Sequence, residues 1–120
     1  MTTQKKSILI VDDQSTNIFA LSAVLIPRGY SCTAALTGEQ CLQILDERPH
    51  LDAILMDYNM PQMNGVETIK YIRQIPQYKK TKVIVITADD SPGLKLKSIS
   101  AGADGFLTKP IDVDLLETLF

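Results

Sequence analysis

Ser7-Ile8-Leu9-Ile10-Val11-Asp12-Asp13 is an unbroken apolar run that ends in two acids. A run this short, rich in Ile and Val and lacking polar alternation, reads as a strand buried on both faces, the kind found inside a parallel sheet. The same form returns further on: Asp57 follows Ala53-Ile54-Leu55-Met56, Thr87 follows Val83-Ile84-Val85-Ile86, and Lys109 follows Gly105-Phe106-Leu107-Thr108. In an open parallel sheet the carboxyl ends of the strands lie along one rim, and ligands bind in the crevice outside it. That rim would gather three carboxylates, a hydroxyl and an ammonium, an inventory suited to a divalent cation and a phosphoryl group.

The segments between these runs have helical periodicity, so the chain reads as successive βα units: an α/β domain with a doubly wound, five-stranded parallel sheet, strand order 2-1-3-4-5, and helices on both faces. Gln14-Ser15-Thr16-Asn17 offers capping side chains for helix one, whose inner face is Ile18, Leu21, Ser22 and Leu25. Pro27 and Gly29 end or kink that helix between Leu25 and Arg28. Tyr30 to Ala35 is the second strand, and helix two, opening at Thr37-Gly38, buries Cys41, Ile44 and Leu45 before Pro49 closes the unit. Asp57 to Gly65 is a loop rich in turn formers, followed by helix three with Val66, Ile69 and Ile72 inward. Lys82 to Thr87 is a central strand. Helix four opens at Asp89-Asp90-Ser91-Pro92, carries Leu94, Leu96 and Ile99, and ends with Gly102 as its cap. Asp112-Val113-Asp114 starts the last helix with acids in its first turn, which complements the macrodipole.

A length of 120 residues allows one domain, 1–120, with residues 1–6 as a flexible lead. Hydrophobic residues make up 45% and charged residues 22%, which argues for a packed core over disorder. The formal net charge of -2 recruits neither nucleic acid nor an anionic membrane, and no apolar run reaches the roughly 20 residues that span a bilayer. A cytoplasmic location is the expectation. Cys32 and Cys41 have no metal-binding spacing and read as buried thiols. His50, the sole histidine, falls in a loop, without the partners that a ligand or general base needs.

A pair of adjacent acids alone would be a helix cap or a solvated turn. The order acid-acid, acid, Thr, Lys along successive strand ends is what carries weight. Val11-Asp12-Asp13, Met56-Asp57-Tyr58-Asn59-Met60-Pro61, Met63-Asn64-Gly65, Thr87-Ala88, Ala101-Gly102-Ala103-Asp104 and Lys109-Pro110 together resemble the receiver domain of two-component response regulators, over essentially the whole chain. The same phosphoacceptor domain occurs in hybrid histidine kinases. The resemblance implies a flavodoxin-like fold, with Asp57 as phosphoacceptor and Asp12, Asp13 and Asp57 holding Mg²⁺ (or Mn²⁺) with the Asn59 backbone carbonyl. It implies that Thr87 and Lys109 contact the phosphoryl group, that Thr87 and Phe106 form the switch, and that the Lys109–Pro110 bond is cis. Phe106 lacks a hydroxyl, so a switch there rests on packing; a fixed core aromatic is the other reading.

By the same resemblance the phosphoryl donor is a histidine kinase or histidine phosphotransfer protein, and the target is an output domain or separate protein that the sequence does not identify. The changed face is helix four, strand five and helix five, and a homodimer formed on phosphorylation is allowed. Such a domain is no enzyme beyond its own phosphoryl transfer and dephosphorylation. Asn64 stands where Asp is frequent and tolerates the turn equally well, while Asn59 and Asp89 sit where side chains can screen or admit hydrolytic water. The short last helix suggests a piece of a larger regulator or hybrid kinase. A haloacid dehalogenase-type phosphatase would need a second acid where Asn59 stands. A flavin-binding module would want a phosphate-cradling loop in place of Asp12-Asp13. A receiver-like interaction module that is never phosphorylated would be expected to lack one of the five rim residues, and all are present.

Overall fold

Runs that are apolar on both faces must be covered on both, and the architecture follows from that need. The computed structural model describes residues 5–120. In chain order the elements are β1 (Lys6–Val11), α1 (Ser15–Leu25) with a 3₁₀ turn (Ile26–Arg28), β2 (Tyr30–Ala35), α2 (Gly38–Asp46), β3 (Ala53–Asp57), and α3 (Gly65–Ile72) with a second 3₁₀ turn (Pro76–Tyr78). They continue as β4 (Lys82–Thr87), α4 (Pro92–Ala101), β5 (Gly105–Thr108) and α5 (Val113–Glu117). The five strands pair in parallel in the order β2-β1-β3-β4-β5, as expected from the sequence. Lys6, expected in the flexible lead, is instead the first residue of β1 and pairs with Tyr30; residues 1–4 of that lead lie outside the described residues.

The two-residue repeat of the pleat divides the strand side chains between two cores. Leu9, Val11, Ile54, Met56, Val83 and Val85 meet Cys41 and Leu45 of α2 and Ile69 and Ile72 of α3. Ile8, Ile10, Leu55, Ile84 and Ile86 meet Ile18 and Leu25 of α1 and Leu116 of α5. The thiol of Cys41 lies fully buried and is pushed up to about 12 by that burial, whereas Cys32 is only partly buried.

Two local expectations are corrected, the capping of α1 and the lack of a partner at His50, and the burial of α4 is defined. Leu96 and Ile99 of α4 are exposed, and the inner positions are Leu94 and Ser98, one turn apart, with the Ser98 hydroxyl donating to the Leu94 carbonyl at 2.9 Å. No side chain of the Gln14–Asn17 segment caps α1; the Asp12 carboxylate accepts from the Gln14 amide instead, at 2.9 Å. His50 does have a partner, since its Nε2 lies 3.3 Å from Asp52 Oδ1, although its side chain is exposed.

Arg73 ties the far end of the sheet together. Its guanidinium donates to the carbonyls of Gly102, Tyr78 and Thr81 and to the Asp104 carboxylate, at 2.7–2.9 Å. The Asp104 carboxylate also accepts from the Val83 amide, so one side chain joins the end of α3, the start of β4 and the cap of α4. Gly102 sits at φ +118°, and a Cβ there would stand 2.7 Å from the Arg73 side chain. Arg73→Ala leaves half-buried carbonyls without donors and is expected to cost roughly 2–4 kcal/mol. Urea unfolding should show a lower midpoint at unchanged slope.

Candidate functional site

Parallel register and pleat alternation decide which polar side chains meet at the rim. Val11 pairs with Met56, so the next residues of β1 and β3, Asp12 and Asp57, project side by side on the face shared with Ile10 and Leu55. Asp12 and Asp57 are buried, and Asp13 is exposed. One carboxylate oxygen from each of Asp12, Asp13 and Asp57 lies within 4.8 Å of the others.

Lys109 reaches this group from the end of β5. Its Nζ stands 3.6 Å from Asp12 Oδ2 and 3.7 Å from Asp57 Oδ1, nearly midway between the acids. Its backbone amide donates to the Thr87 carbonyl at 2.8 Å, and the Lys109–Pro110 peptide bond is cis. One lysine against three acids leaves a surplus of negative charge in a poorly hydrated place. Burial pushes the Asp57 carboxyl up to about 6, helped by repulsion from Asp12 and, less, from Asp13; Lys109 and the Asn59 backbone amide oppose the rise. Asp57 Oδ1 is buried and finds no hydrogen-bond donor among the described residues. The oxygens of Asp12, by contrast, are both engaged, Oδ1 by the Gln14 amide at 2.9 Å and Oδ2 by Asn17 Nδ2 at 3.2 Å.

The remaining rim residues lie to the other side. Thr87 is fully buried, and its hydroxyl accepts from the Asp89 amide at 3.1 Å and from Asn59 Nδ2 at 3.5 Å. Phe106 pairs in register with Val85 and is partly buried against the core shared with α2 and α3. By alternation Thr87 follows Val83 and Val85 onto that same face. Gly65 holds α3 against the site: its amide donates to the Tyr58 carbonyl at 3.0 Å, and a Cβ there would stand 2.6 Å from the Asp57 carbonyl.

Two features of the site escape a sequence reading. Asn17 counted only as a cap, but its amide reaches back to Asp12; its place five residues after that acid, in the first turn of a helix leaving the rim, was the available signal. A groove of about 370 Å³ also runs from Asp12, Asp57 and Lys109 between α1 and the start of α5, along Leu21, Val24 and Val113.

Comparison with known proteins agrees with this geometry. The family model for the response regulator receiver domain matches residues 8–120. A protein of Rhizobium etli named "Probable chemotaxis protein CheY" is 35% identical over 115 residues, which cover 95% of this chain and 88% of that protein. The signal transduction histidine-protein kinase BarA of Escherichia coli K12 is 33% identical over 113 residues, 94% of this chain but 12% of the kinase. Among solved structures, the chemotaxis protein CheY4 of Vibrio cholerae superposes with a TM-score of 0.90 at 31% identity, covering 97% of this chain and 99% of that one. The chain belongs to the response regulator receiver domain family.

The displaced carboxyl gives the domain a pH dependence of known sign. An unfolded chain releases the Asp57 proton at its ordinary value of 3.8, while the folded site keeps it to about 6. The folded state therefore binds more protons across that window, and without metal its stability falls as pH rises from about 4 through about 6. At roughly 1.4 kcal/mol per unit, Asp57→Asn should be more stable than the parent by about 2–3 kcal/mol near pH 7 in EDTA. Urea titrations at several pH values should show that advantage vanish near pH 4.

Proposed function

We propose that this receiver domain is a phosphorylation-dependent switch in a two-component phosphorelay. It takes a phosphoryl group onto Asp57 from a phosphohistidine of a histidine kinase or histidine phosphotransfer protein, with Mg²⁺ (or Mn²⁺) in the site. The observation that carries this reading is the buried, donor-free Oδ1 of Asp57 beside two further acids and one mobile ammonium.

The donor set fits a hard cation. It is all oxygen, carries more negative charge than Lys109 neutralises, and includes an oxygen with no donor. Asp12, Asp13, Asp57 and the Asn59 backbone carbonyl would hold the ion. When bound, it would supply charge neutralisation to the acids and to the oxygens of the group in transfer.

The chain's own residues do the rest. An Asp57 carboxylate oxygen forms the new P–O bond as the P–N bond of the phosphohistidine breaks, and the departing electron pair remains on the imidazole. Lys109, a compact cation on a flexible stem, moves from the acids to the phosphoryl oxygens. The Thr87 hydroxyl, which accepts from Asn59 of the β3–α3 loop and Asp89 of the β4–α4 loop, can donate to the same oxygens. Phe106 repacks with it, which moves the face of α4, β5 and α5 by shifting the balance between two packings. The output domain or target protein, and dimerisation through this face, belong to the same proposal, as does a cytoplasmic location. No helix among the described residues is long and apolar enough to cross a membrane.

With Mg²⁺ and acetyl phosphate, intact mass should show one phosphoryl adduct on the wild type and none on Asp57→Ala. Equal adducts on both would overturn the assignment. Asp13→Ala should weaken Mg²⁺ binding by roughly tenfold or more. Lys109→Ala should keep Mg²⁺ binding and lose the transmitted change. Backbone amide shifts with and without beryllofluoride and Mg²⁺ should spread over residues 90–115; a response confined to α2 and α3 would refute the account of the output face.

A further inference from the structure

We propose that Asn17 is a positioning residue that keeps the Asp12 carboxylate available to a divalent cation by preventing its closure onto Lys109. The inference rests on the metal-site reading above and concerns a residue outside that site.

Asp12 Oδ2 is contested by two donors. Asn17 Nδ2 lies 3.2 Å away, within hydrogen-bond distance, and Lys109 Nζ lies 3.6 Å away. The other oxygen, Oδ1, is held by the Gln14 amide at 2.9 Å, so the plane of the carboxylate is pinned by two groups from the start of α1. Asp12 is only 4% exposed, and water cannot readily stand in for a lost donor. Lys109 stands equally far from Asp57, at 3.7 Å, and commits to neither acid.

That balance depends on Asn17. A neutral amide satisfies Oδ2 without binding it strongly, whereas a close ammonium–carboxylate pair in a poorly hydrated site is a stronger contact that a metal would have to break. If Asn17 is removed, the unsatisfied Oδ2 draws Lys109 in. The cation then meets a closed ion pair where it formerly met a carboxylate held by two neutral amides, and Lys109 is no longer free to follow the phosphoryl group. Groups that orient ligands in this manner change metal affinity by roughly ten- to a hundredfold when removed.

The test is a double-mutant cycle on Mg²⁺ affinity, read by calorimetry or backbone amide titration without any phosphodonor. Asn17→Ala suits it because alanine is the best helix former and Asn17 lies in the first turn of α1, so the fold is retained. Asn17→Ala should lower Mg²⁺ affinity by about tenfold in the parent, yet by less than about threefold when Lys109→Ala is already present. A merely structural contribution of Asn17 to α1 would produce the same loss in both backgrounds. Equal losses, or no loss in the parent, overturn the proposal while leaving the metal site standing. A parent that binds no Mg²⁺, or binds it as well after Asp13→Ala, overturns the metal-site reading itself and this inference with it.

Discussion

The parallel register of β1 against β3 is the constraint on which the rest depends. With Val11 opposite Met56, the next residues of both strands are acids on one face, and the sheet forces Asp12 and Asp57 together whatever their charges prefer. A slip of one residue would turn one of the two acids to the opposite face and separate them. In the observed register Ile8, Ile10 and Leu55 are buried on one side and Leu9, Val11 and Met56 on the other. Apolar packing thus enforces an electrostatic arrangement that is unfavourable in itself. The Asp57 carboxyl is raised first by burial and then by the neighbouring Asp12 charge, a combination that functional sites commonly bear.

The helices serve this rim in different ways. Near α3 the link is steric: the absence of a Cβ at Gly65 lets α3 start directly against the Asp57 carbonyl, while the Asn64–Glu67 capping box fixes where α3 begins. Near α1 the link is polar, through Gln14 and Asn17 to Asp12. Near α4 it runs through the Thr87 hydroxyl to the Asp89 amide in the loop before that helix. Any change of charge at Asp57 is therefore adjacent to three helix starts, two of them connected to the rim by hydrogen bonds that can be remade.

Most of this arrangement was legible in the sequence because its cause is local. Continuous Val and Ile runs, Gly29 and Gly102 at left-handed positions, Pro92 at a helix start, and polar residues directly after each strand all declare themselves within a few positions. What could not be read has non-local causes. Arg73 gains its meaning from Gly102 and Asp104, 29 and 31 residues away, and a lone arginine on a helix carries no sign of that. Leu94, Leu96 and Ile99 look equally apolar, but α4 lies with Leu94 and Ser98 inward, because a serine that bonds to its own helix can be buried at little cost and its small size permits close packing. Asn17 resembles a helix cap by residue type and position, and its acceptor, Asp12, lies across the start of α1 at the rim.

The contrast between Asp12 and Asp57 decides how the site can work. Asp12 has both oxygens committed to the start of α1, so altering it disturbs the framework. Asp57 sits at the end of a central strand with Oδ1 uncommitted, so its chemical form can change without first breaking a framework hydrogen bond. A phosphoryl group there would need donors; Lys109 stands 3.7 Å from Oδ1, balanced between two acids, and the Thr87 hydroxyl now serves as an acceptor for Asn59 and Asp89. Under the proposed function, recruiting Thr87 as a donor would act on a fully buried side chain. Phe106 lies on the same face of the adjacent strand and is only partly buried. Under the proposed function, charge introduced at one rim position would act through the packing under α4 and β5, and that route would need no hydroxyl on the aromatic ring.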